Sequence, residues 1–330
     1  MAAKSHRALK ITGIVIGVIV GIALIAVVAL NIYMRAAFAP FFDRAESPFD
    51  IPGINTGFVP QDLDHVEADD SWLFSGYMAD HSPSPIYRRA TDGTITKFYV
   101  SLPDGSPYDG HGSAITTNEQ YAYLACEEGY LVIPMDDLLF AEDGASVQAT
   151  EKVDVDFSPA FMNIEQGQLL LGNFYYPNDY ETPENHHITT PDGTENPAVM
   201  YAFAADPAEP GRFLTVPDNV FSIPGMVQGT CITDDGRIVL SVSYGIAPSH
   251  LLVYNVNLAA PDGTFTTGSG DEVELFCLDS RNLTEDLVGP PMQEGIESHD
   301  GRVYTTDESA SNKYIFGKLC GAGRVYAVQL

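Results

Sequence analysis

The chain repeats one pattern of apolar and polar positions five times. In each copy a short apolar strand reverses at a polar turn and returns as a second strand that alternates apolar and small polar residues. Residues 227–245, VQGTCITDDGRIVLSVSYG, form the clearest copy because Asp234-Asp235-Gly236 separates two such runs. An Asp-Gly turn between alternating runs is a strong signal for a β-hairpin. The sequence therefore predicts five related hairpins.

The spacing of the copies predicts how these hairpins are arranged. We call the residue at the start of each copy its leading residue; the five are Gln61, His111, Ala160, Gln228 and Glu294. Their separations of 50, 49, 68 and 66 residues compare with the ~40–50 residues of a four-stranded propeller blade. The longer intervals contain a polar insertion at 177–196 and a Gly- and Thr-rich stretch at 258–272. We predict an all-β fold, a β-propeller of five four-stranded blades; six blades would need an unrecognised one within 177–226.

Further strands complete the predicted blades. Third strands are indicated at SPIYRRA, GYLVIPM, AVMYAFA, HLLVYNV and GRVYAVQL. Fourth strands are indicated at ITKFYVS, SVQATEKV, RFLTVP and EVELFCL. The fifth copy shows no fourth strand, so we expect a lead-in strand near residues 51–55 to complete the last blade.

An apolar segment of a different kind precedes the repeats. Residues 11–30 are twenty residues without a charge, enough for a helix that crosses a bilayer core. The apolar region of a cleaved signal peptide is usually only ~7–15 residues long. The length favours an uncleaved signal-anchor, while the small residues at 36–39 keep a cleaved signal peptide as the alternative.

The charges around this segment predict its orientation. Lys4, Arg7 and Lys10 precede it, and Arg35 follows it. Positive residues favour the cytoplasmic side of a spanning helix. We therefore predict a single-pass protein of the cell membrane. Its parts would be a cytoplasmic N-terminus at 1–10, a transmembrane helix at 11–34, a stalk at 35–50 and an extracytoplasmic propeller at 51–330.

The charge balance excludes some partners. Residues 1–34 hold three of the sixteen Lys and Arg residues and none of the forty-five Asp and Glu residues, which leaves 13 − 45 = −32 for the rest. Such a domain repels nucleic acids and anionic lipid surfaces. The simplest role of this charge is to keep the domain soluble. It also attracts cations, and the alternative reading is a divalent cation such as Ca²⁺ as a cofactor.

The four cysteines show no metal or redox spacing. None of Cys126, Cys231, Cys277 and Cys320 lies in a CxxC pair. Cys126 and Cys231 fall within predicted strands, where a cysteine behaves as a small buried apolar residue. Cys277 and Cys320 are predicted nearer the periphery, where they could form a disulfide.

The repeat resembles that of bacterial extracytoplasmic β-propellers. The shared features are a polar leading residue followed by Gly, a strand, an Asp-Gly-Arg turn and a Val-Tyr third strand, as at Glu294-Gly295 and residues 300–304. The gluconolactonase-like and lactonase-like propellers have this pattern. The resemblance to the first group implies a divalent metal held by a Glu at the start of an early blade. Glu294 is similar but lies in the last copy, without a matching Asn and Asp set.

The propeller arrangement predicts which residues meet at one mouth of the channel. The innermost strands start there and the second strands end there, so residues far apart in sequence converge. The predicted ligand-binding residues are Gln61, His111, Gln228, Glu294, Tyr77, Tyr175, Tyr244 and Glu308. A polar residue at a strand start can also simply satisfy a backbone group or a water molecule. The pair His186-His187 lies in the insertion and is predicted to be a solvated loop.

Within this ring, three residues are candidates for catalysis and three for metal binding. Glu294 and Glu308 could form a general acid/base pair, and His111 could transfer a proton. A hard cation would bind Glu294 together with the amide oxygens of Gln61 and Gln228. No GxSxG or SxxK motif supports a serine nucleophile.

Two functions remain open on the sequence alone. The first is a membrane-anchored propeller that binds a small molecule, a glycan or a protein on its loop-rich face. The alternative is a hydrolase of lactone, glycoside or phosphoester type with its site at the channel mouth and Ca²⁺ as its cofactor. Convergent carboxylates in one deep pocket would favour the enzyme, and a broad aromatic face would favour the binding module.

Overall fold

The computed structural model describes residues 2–330, with side chains from residue 10 onward. The chain begins with helix α1 (Ala2–Ala37), followed by the short helix α2 (Ala39–Phe42) and strand β1 (Ala45–Asp50). Within the described chain, one helix, Lys10–Ala37, is long and apolar enough to cross a membrane. Its length and its place near the N-terminus fit a membrane anchor or a signal sequence.

Blades 1 and 2 follow in chain order. Blade 1 consists of β2 (Phe58–Val66), β3 (Ser71–Met78), β4 (Pro85–Arg89) and β5 (Ile95–Ser101). Blade 2 is built from β6 (Ile115–Thr117), β7 (Tyr121–Cys126), β8 (Gly129–Pro134) and β10 (Glu151–Asp154), with helix α3 (Met135–Leu139) and strand β9 (Ser146–Gln148) between β8 and β10. Strand β9 pairs in parallel with β5, so it becomes a fifth strand of blade 1.

Blade 3 is the largest sheet. Its first two strands are β11 (Phe161–Glu165) and β12 (Gln168–Gly172), and its next two are β15 (Ala198–Ala204) and β16 (Asn219–Ile223). An insertion lies between β12 and β15. It contains a 3₁₀ turn (Glu184–His186) and a hairpin of β13 (Ile188–Thr189) and β14 (Glu195–Asn196). The insertion therefore lies between the second and third strands of the blade.

Blades 4 and 5 complete the ring. Blade 4 contains β17 (Val227–Ile232), β18 (Ile238–Val242), β19 (Ser249–Tyr254) and β22 (Leu283–Gly289). Two strands lie between β19 and β22 in sequence, β20 (Gly263–Thr266) and β21 (Glu272–Cys277). They join blade 3 instead and extend it to six strands. Blade 5 contains β23 (Gln293–His299), β24 (Arg302–Asp307) and β25 (Arg324–Val328), with the short helix α4 (Phe316–Leu319) before β25. Strand β1 pairs with β25 as its outermost strand. The prediction of a five-bladed propeller behind an N-terminal apolar helix is confirmed.

The apolar core lies between neighbouring blades. Successive residues of a strand point to opposite faces of its sheet, so each blade contributes to the clusters on both sides. In β7, for example, Tyr123 packs toward blade 3 while Leu124 packs toward blade 1. Five such clusters fill the five interfaces of the ring. This packing holds the innermost strands at fixed positions around the channel.

The structure corrects several strand predictions. The closing strand is Ala45–Asp50, not residues 51–55, so a strand and a helix occupy part of the predicted stalk. RFLTVP is not a strand, and the fourth strand of blade 3 is Asn219–Ile223. EVELFCL joins blade 3 because β21 pairs in parallel with β16. The alternation in these segments signals a strand but does not determine its partner.

Two predictions about individual residues are also wrong. The structure contains no Cys277–Cys320 disulfide: all four thiols are free, Cys277 is buried in β21 and Cys320 follows α4. His186 is not solvated but buried, and its Nδ1 lies 2.8 Å from Nδ2 of Asn173. The insertion folds back on blade 3, which removes this imidazole from water.

Candidate functional site

Three of the five leading residues lie in β-bulges of the innermost hairpins. The register between β2 and β3 shifts around Gln61, that between β17 and β18 shifts around Gln228, and that between β23 and β24 shifts around Glu294. A bulge leaves one residue out of the hydrogen-bonded ladder and changes the direction of its side chain. In all three blades the polar side chain reaches the same channel mouth.

The glycines that follow two of these residues allow the innermost strands to approach one another. A Cβ atom at Gly295 would lie 1.6 Å from Oδ1 of Asp62, and one at Gly229 would lie 2.9 Å from Cα of Gly295. Both distances are shorter than a carbon atom permits. The Gln-Gly and Glu-Gly pairs of the sequence thus place a polar side chain at the mouth where the strands are closest.

The mouth opens into a cleft of about 900 Å³. Seven of the eight predicted ligand-binding residues line it: Gln61, Tyr77, His111, Gln228, Tyr244, Glu294 and Glu308. Tyr175 does not, because it packs against the apolar cluster between blades 3 and 4 and against His187. Most of the residues that the repeat alignment predicts to converge therefore line a single cleft.

A chain of hydrogen bonds crosses the mouth from blade 2 to blade 5. The ring nitrogen Nε2 of His111 donates to Oε1 of Gln61 at 2.7 Å, and Nε2 of Gln61 donates to Oε2 of Glu308 at 3.1 Å. Burial lowers the pKa of His111 to about 4, so this imidazole is neutral at pH 7. The chain fixes the orientation of the Gln61 amide and of the Glu308 carboxyl.

Glu294 and Glu308 form a carboxyl pair at the centre of the mouth. Burial, then the charge of Glu308, raises the pKa of Glu294 well above its usual range. Burial also raises the pKa of Glu308 to about 7, although Lys313, Gln61 and Glu294 oppose this shift. Two carboxyls in hydrogen-bonding contact cannot both ionise at low cost. Above the pKa of Glu308 the pair therefore keeps one proton, which stays on Glu294.

A lysine and two tyrosines flank this pair. The Nζ atom of Lys313 donates to the hydroxyl of Tyr77 at 2.6 Å and lies 4.7 Å from the centre of its ring. The Tyr77 ring stacks on His111 with centroids 4.4 Å apart. Among the described residues that line the cleft, Lys313 is the one Lys or Arg. It supplies positive charge beside two carboxyls that share a single negative charge.

The opposite wall of the cleft is aromatic. Tyr244 stacks on Tyr176 with ring centroids 3.8 Å apart, and Phe174 meets Tyr180 edge to face at 5.3 Å. Tyr180 belongs to the insertion of blade 3, and Tyr176 directly precedes it. Flat aromatic faces with polar tips suit ligands that are apolar on one face and hydroxylated at the edge.

A second group of carboxyls lies deeper in the channel. Burial raises the pKa values of Asp64 to about 8 and of Glu165 to about 7, and it raises that of Glu297 well above its usual range. Asn163 donates to Oε2 of Glu297 at 2.7 Å and to the carbonyl of Thr230 at 3.0 Å. We call Asp62, Asp64, Glu165 and Glu297 the mid-channel carboxyls. They link the innermost strands and do not line the cleft.

One of the three residues predicted to bind a metal at the mouth is already engaged. Both ends of the Gln61 amide have partners, the oxygen His111 and the nitrogen Glu308. A hard cation needs free anionic or carbonyl oxygens, and in this arrangement the Gln61 amide does not offer one. Gln228 and Glu294 also line the cleft, and a metal site there stays a prediction.

Several residues of the cleft were missed by the sequence analysis. Lys313 and Tyr314 lie in the loop after β24, and Tyr180 and Thr182 lie in the insertion. Two features of the sequence mark Lys313: it is one of few basic residues in a very acidic chain, and it lies five positions after Glu308. No repeat pattern marks the insertion residues, because the insertion occurs in one blade only.

The chain matches no family model and no curated protein. Among solved structures it is similar to the PQQ-bound aldose sugar dehydrogenase from Streptomyces coelicolor, with 12% identity, a TM-score of 0.43 and coverage of 86% of this chain and 97% of that one. It is also similar to a gluconolactonase from Xanthomonas campestris, with 10% identity, a TM-score of 0.41 and coverage of 87% and 95%. The predicted resemblance to gluconolactonase-like propellers is confirmed as a likeness of fold, too distant to bear on activity.

Proposed function

We propose that the cleft is the active site of a hydrolase that cleaves an acyl–oxygen bond, such as that of a lactone, in a small uncharged ligand. The observation behind this proposal is the buried Glu294–Glu308 pair, whose pKa values are raised to different extents inside a cavity of ligand size. Two carboxyls whose pKa values are pushed apart can act as acid and base in one step.

The residues have distinct roles in this reaction. The carboxylate of Glu308 accepts a proton from a water molecule, whose oxygen forms a bond with the acyl carbon. The ester C–O bond then breaks, and Glu294 gives its proton to the leaving oxygen. Lys313, next to Tyr77, stabilises the negative charge that develops on the carbonyl oxygen. Gln61, held by His111, keeps Glu308 in position.

The lining of the cleft supports an uncharged and hydroxylated ligand. Five acidic side chains line it, Glu128, Asp156, Glu181, Glu294 and Glu308, against one lysine. An anionic substrate such as a phosphoester would be repelled by this excess. The aromatic wall and the amides of Gln61 and Gln228 offer stacking and hydrogen bonds to a sugar-like ring.

The separation of the two carboxyls disfavours glycoside hydrolysis. Glycosidases keep their two carboxyl groups ~5–9.5 Å apart, with the sugar or a water molecule between them. Glu294 and Glu308 are instead in direct hydrogen-bonding contact. A pair that shares a proton suits activation of water for attack on an acyl carbon.

A substrate panel tests the proposal on the full-length chain in detergent. Sugar lactones, simple esters and aryl glycosides are offered at pH 7, and acid release is followed in a pH-stat. We expect turnover of lactones or esters, and turnover slower by about 10²–10⁴-fold with the Glu308→Gln variant. Glu274→Gln, at an exposed position of β21, is the matched control. Absence of acyl hydrolysis across the panel would overturn the proposal.

Ligand binding without chemistry is the second candidate function, and the aromatic wall favours it. Phe174, Tyr180 and Tyr244 line the cleft in addition to the carboxyl pair, and Tyr244 is backed by Tyr176 with ring centroids 3.8 Å apart. A binding module would hold a glycan, a small molecule or a protein loop there. If a ligand from the panel binds with equal affinity to the wild type and to Glu308→Gln, and is not turned over, this function replaces the hydrolase.

For the apolar helix we propose a membrane anchor at residues 11–34, with residues 1–10 in the cytoplasm and the propeller outside the cell membrane. The support is the length of the uncharged segment and the three basic residues that precede it. Protease added to intact cells should digest the propeller and leave a membrane-bound N-terminal fragment. Protection of the propeller would overturn the orientation, and release of the intact domain would indicate a cleaved signal.

A further inference from the structure

The innermost strands of the first and last blades end at the mouth opposite the cleft, where two histidines meet. Strand β2 begins near Gln61 and ends at Val66, and β23 begins near Glu294 and ends at His299. His65 and His299 therefore lie at the far end of the same two strands. Their rings are 3.7 Å apart between centroids and are inclined by 32°. This junction is where the ring of blades closes.

One nitrogen of His65 has no hydrogen-bond partner. The residue is 6% exposed, and Nδ1 is buried without a donor or acceptor among the described residues. It points toward Glu67, whose Oε1 lies 3.5 Å away. A buried nitrogen without a partner carries a desolvation cost of ~1–3 kcal/mol unless something binds it. A cation bound between this nitrogen and the Glu67 carboxylate would remove that cost.

Three donor atoms converge at this place. A ring nitrogen of His65, a ring nitrogen of His299 and a carboxylate oxygen of Glu67 all lie within 4.8 Å of one another. The side chain of Glu67 is 88% exposed, so it can turn toward an ion without disturbing the core. Zinc binds imidazole nitrogen and carboxylate oxygen at ~2.0–2.2 Å in tetrahedral geometry. Two histidines and one carboxylate provide three of its four ligands.

The surroundings match those of metal-binding histidines. The other nitrogen of His65 faces Oδ1 of Asp70 at 3.5 Å, and Nε2 of His299 lies 3.5 Å from Oδ2 of Asp300. A carboxylate beside the distal nitrogen of a ligating histidine orients the ring and strengthens it as a ligand.

We propose that His65, His299 and Glu67 form a binding site for a divalent transition metal of the zinc class, and that the ion links the first and last blades. Imidazole ligands favour Zn²⁺, Co²⁺ or Cu²⁺ over Ca²⁺ and Mg²⁺, which prefer oxygen. The site is at the opposite end of the channel from the Glu294–Glu308 pair and does not depend on the proposed hydrolase activity.

Metal titration of the full-length chain in detergent tests the proposal. After treatment with a chelator and its removal, Zn²⁺ is titrated by calorimetry, and Co²⁺ is added to a second sample to record its visible absorption. We expect one Zn²⁺ per chain with micromolar or tighter affinity, a Co²⁺ spectrum of a four-coordinate site and a higher melting temperature with Zn²⁺. Less than one Zn²⁺ per chain at saturation would overturn the proposal.

Variants assign the ion to its ligands. Glu67→Gln and His299→Asn change partly or largely exposed residues, so they avoid the folding defect that replacing the buried His65 risks. Each should weaken the affinity for Zn²⁺ at least tenfold and remove the Co²⁺ spectrum. The matched control is His250→Asn, because His250 pairs with Asp286 at 2.7 Å without a second histidine. It should bind Zn²⁺ like the wild type.

A further variant separates this site from the cleft. The double substitution Glu294→Gln and Glu308→Gln removes the carboxyls of the cleft and should leave Zn²⁺ binding unchanged. If Zn²⁺ binding survives Glu67→Gln and His299→Asn, or is lost with the cleft carboxyls, the proposed ligand set is wrong.

Discussion

The channel buries carboxyls at two levels, and the two groups differ in what surrounds them. The mid-channel carboxyls accept hydrogen bonds from the backbone and side chains of neighbouring strands, as Asp64 does from Thr117 and Glu165 from the backbone N–H of Ile232. At the mouth, Glu294 and Glu308 contact each other and face a large cleft. A raised pKa is common to both groups. Access to a cavity, not the pKa alone, distinguishes a candidate active site from the scaffold.

The largest effect that would test this comparison is expected at Glu308. Glu308→Gln should lower kcat by about 10²–10⁴-fold, the usual contribution of a general base, because the amide cannot accept a proton from water. The melting temperature should change little, since glutamine still accepts a hydrogen bond from Gln61. Steady-state kinetics and thermal unfolding check this. The equivalent substitution at mid-channel, Glu297→Gln, should retain activity; if it is as inactive as Glu308→Gln, the two levels do not differ in function.

The pH dependence of activity should follow the two carboxyls at the mouth and not those at mid-channel. Burial raises the pKa of Glu308 to about 7, so its base form is lost as the pH falls below 7. The value of kcat/KM should therefore decrease about tenfold per pH unit on the acid side. On the alkaline side it should decrease when Glu294 loses its proton. A profile that stays flat between pH 5 and pH 7 would contradict the role of Glu308.

The mid-channel carboxyls should instead control the pH dependence of stability. Burial raises the pKa of Asp64 to about 8, whereas the unfolded chain ionises near 4. The folded state therefore binds one more proton than the unfolded state between these values, so stability falls as the pH rises from about 4 to about 8 and levels off above that. Asp64→Asn should remove about 1.4 kcal/mol per pH unit from this slope. Denaturant unfolding at pH 5–8 measures it, and an unchanged slope, or a loss of activity, would contradict the assignment.

The smallest effect is expected at Lys313. Burial raises the pKa of Glu308 and the charge of Lys313 opposes this, so Lys313→Met should move the acid limb of the activity profile to higher pH. The maximal rate should also fall, because the developing oxyanion loses its cation. Kinetics across pH 5–9 measure both changes. Arg237→Met, which removes a cation paired with Asp235 on blade 4, is the control and should leave the profile in place.

The set of residues that the sequence predicts at the mouth depends on one physical regularity. Innermost strands of a propeller start at the same face, so aligning the repeats places Gln61, His111, Gln228 and Glu294 together. The bulges that turn three of these side chains into the cleft have no clear sequence mark. Tyr175 was predicted at the cleft but packs against the core, because the alternation at the strand end does not show whether Tyr175 or Tyr176 faces inward.

The mid-channel carboxyls left a signal in the same alignment that the sequence analysis did not use. Asp64, Asn163 and Glu297 each lie three positions after the leading residue of their copy. The same repeat position is polar in the innermost strands of three blades, which indicates that these three side chains face one another across the channel. The pairing of β20 and β21 with blade 3 could not be predicted, because partner choice depends on which neighbouring sheet edge is free.

The closing strand β1 has a consequence for how the protein is made. About 270 residues separate β1 from its partner β25, and at ~5–20 residues per second the ribosome needs roughly 14–55 s to supply them. During that interval the β1 segment follows the apolar N-terminal helix with the hydrogen-bonding groups on both of its edges unpaired. Its sequence, AESPFD, carries Glu46, Pro48 and Asp50, the kinds of residue that discourage pairing with other chains. These residues help the segment to remain unpaired until β25 of blade 5 has been synthesised.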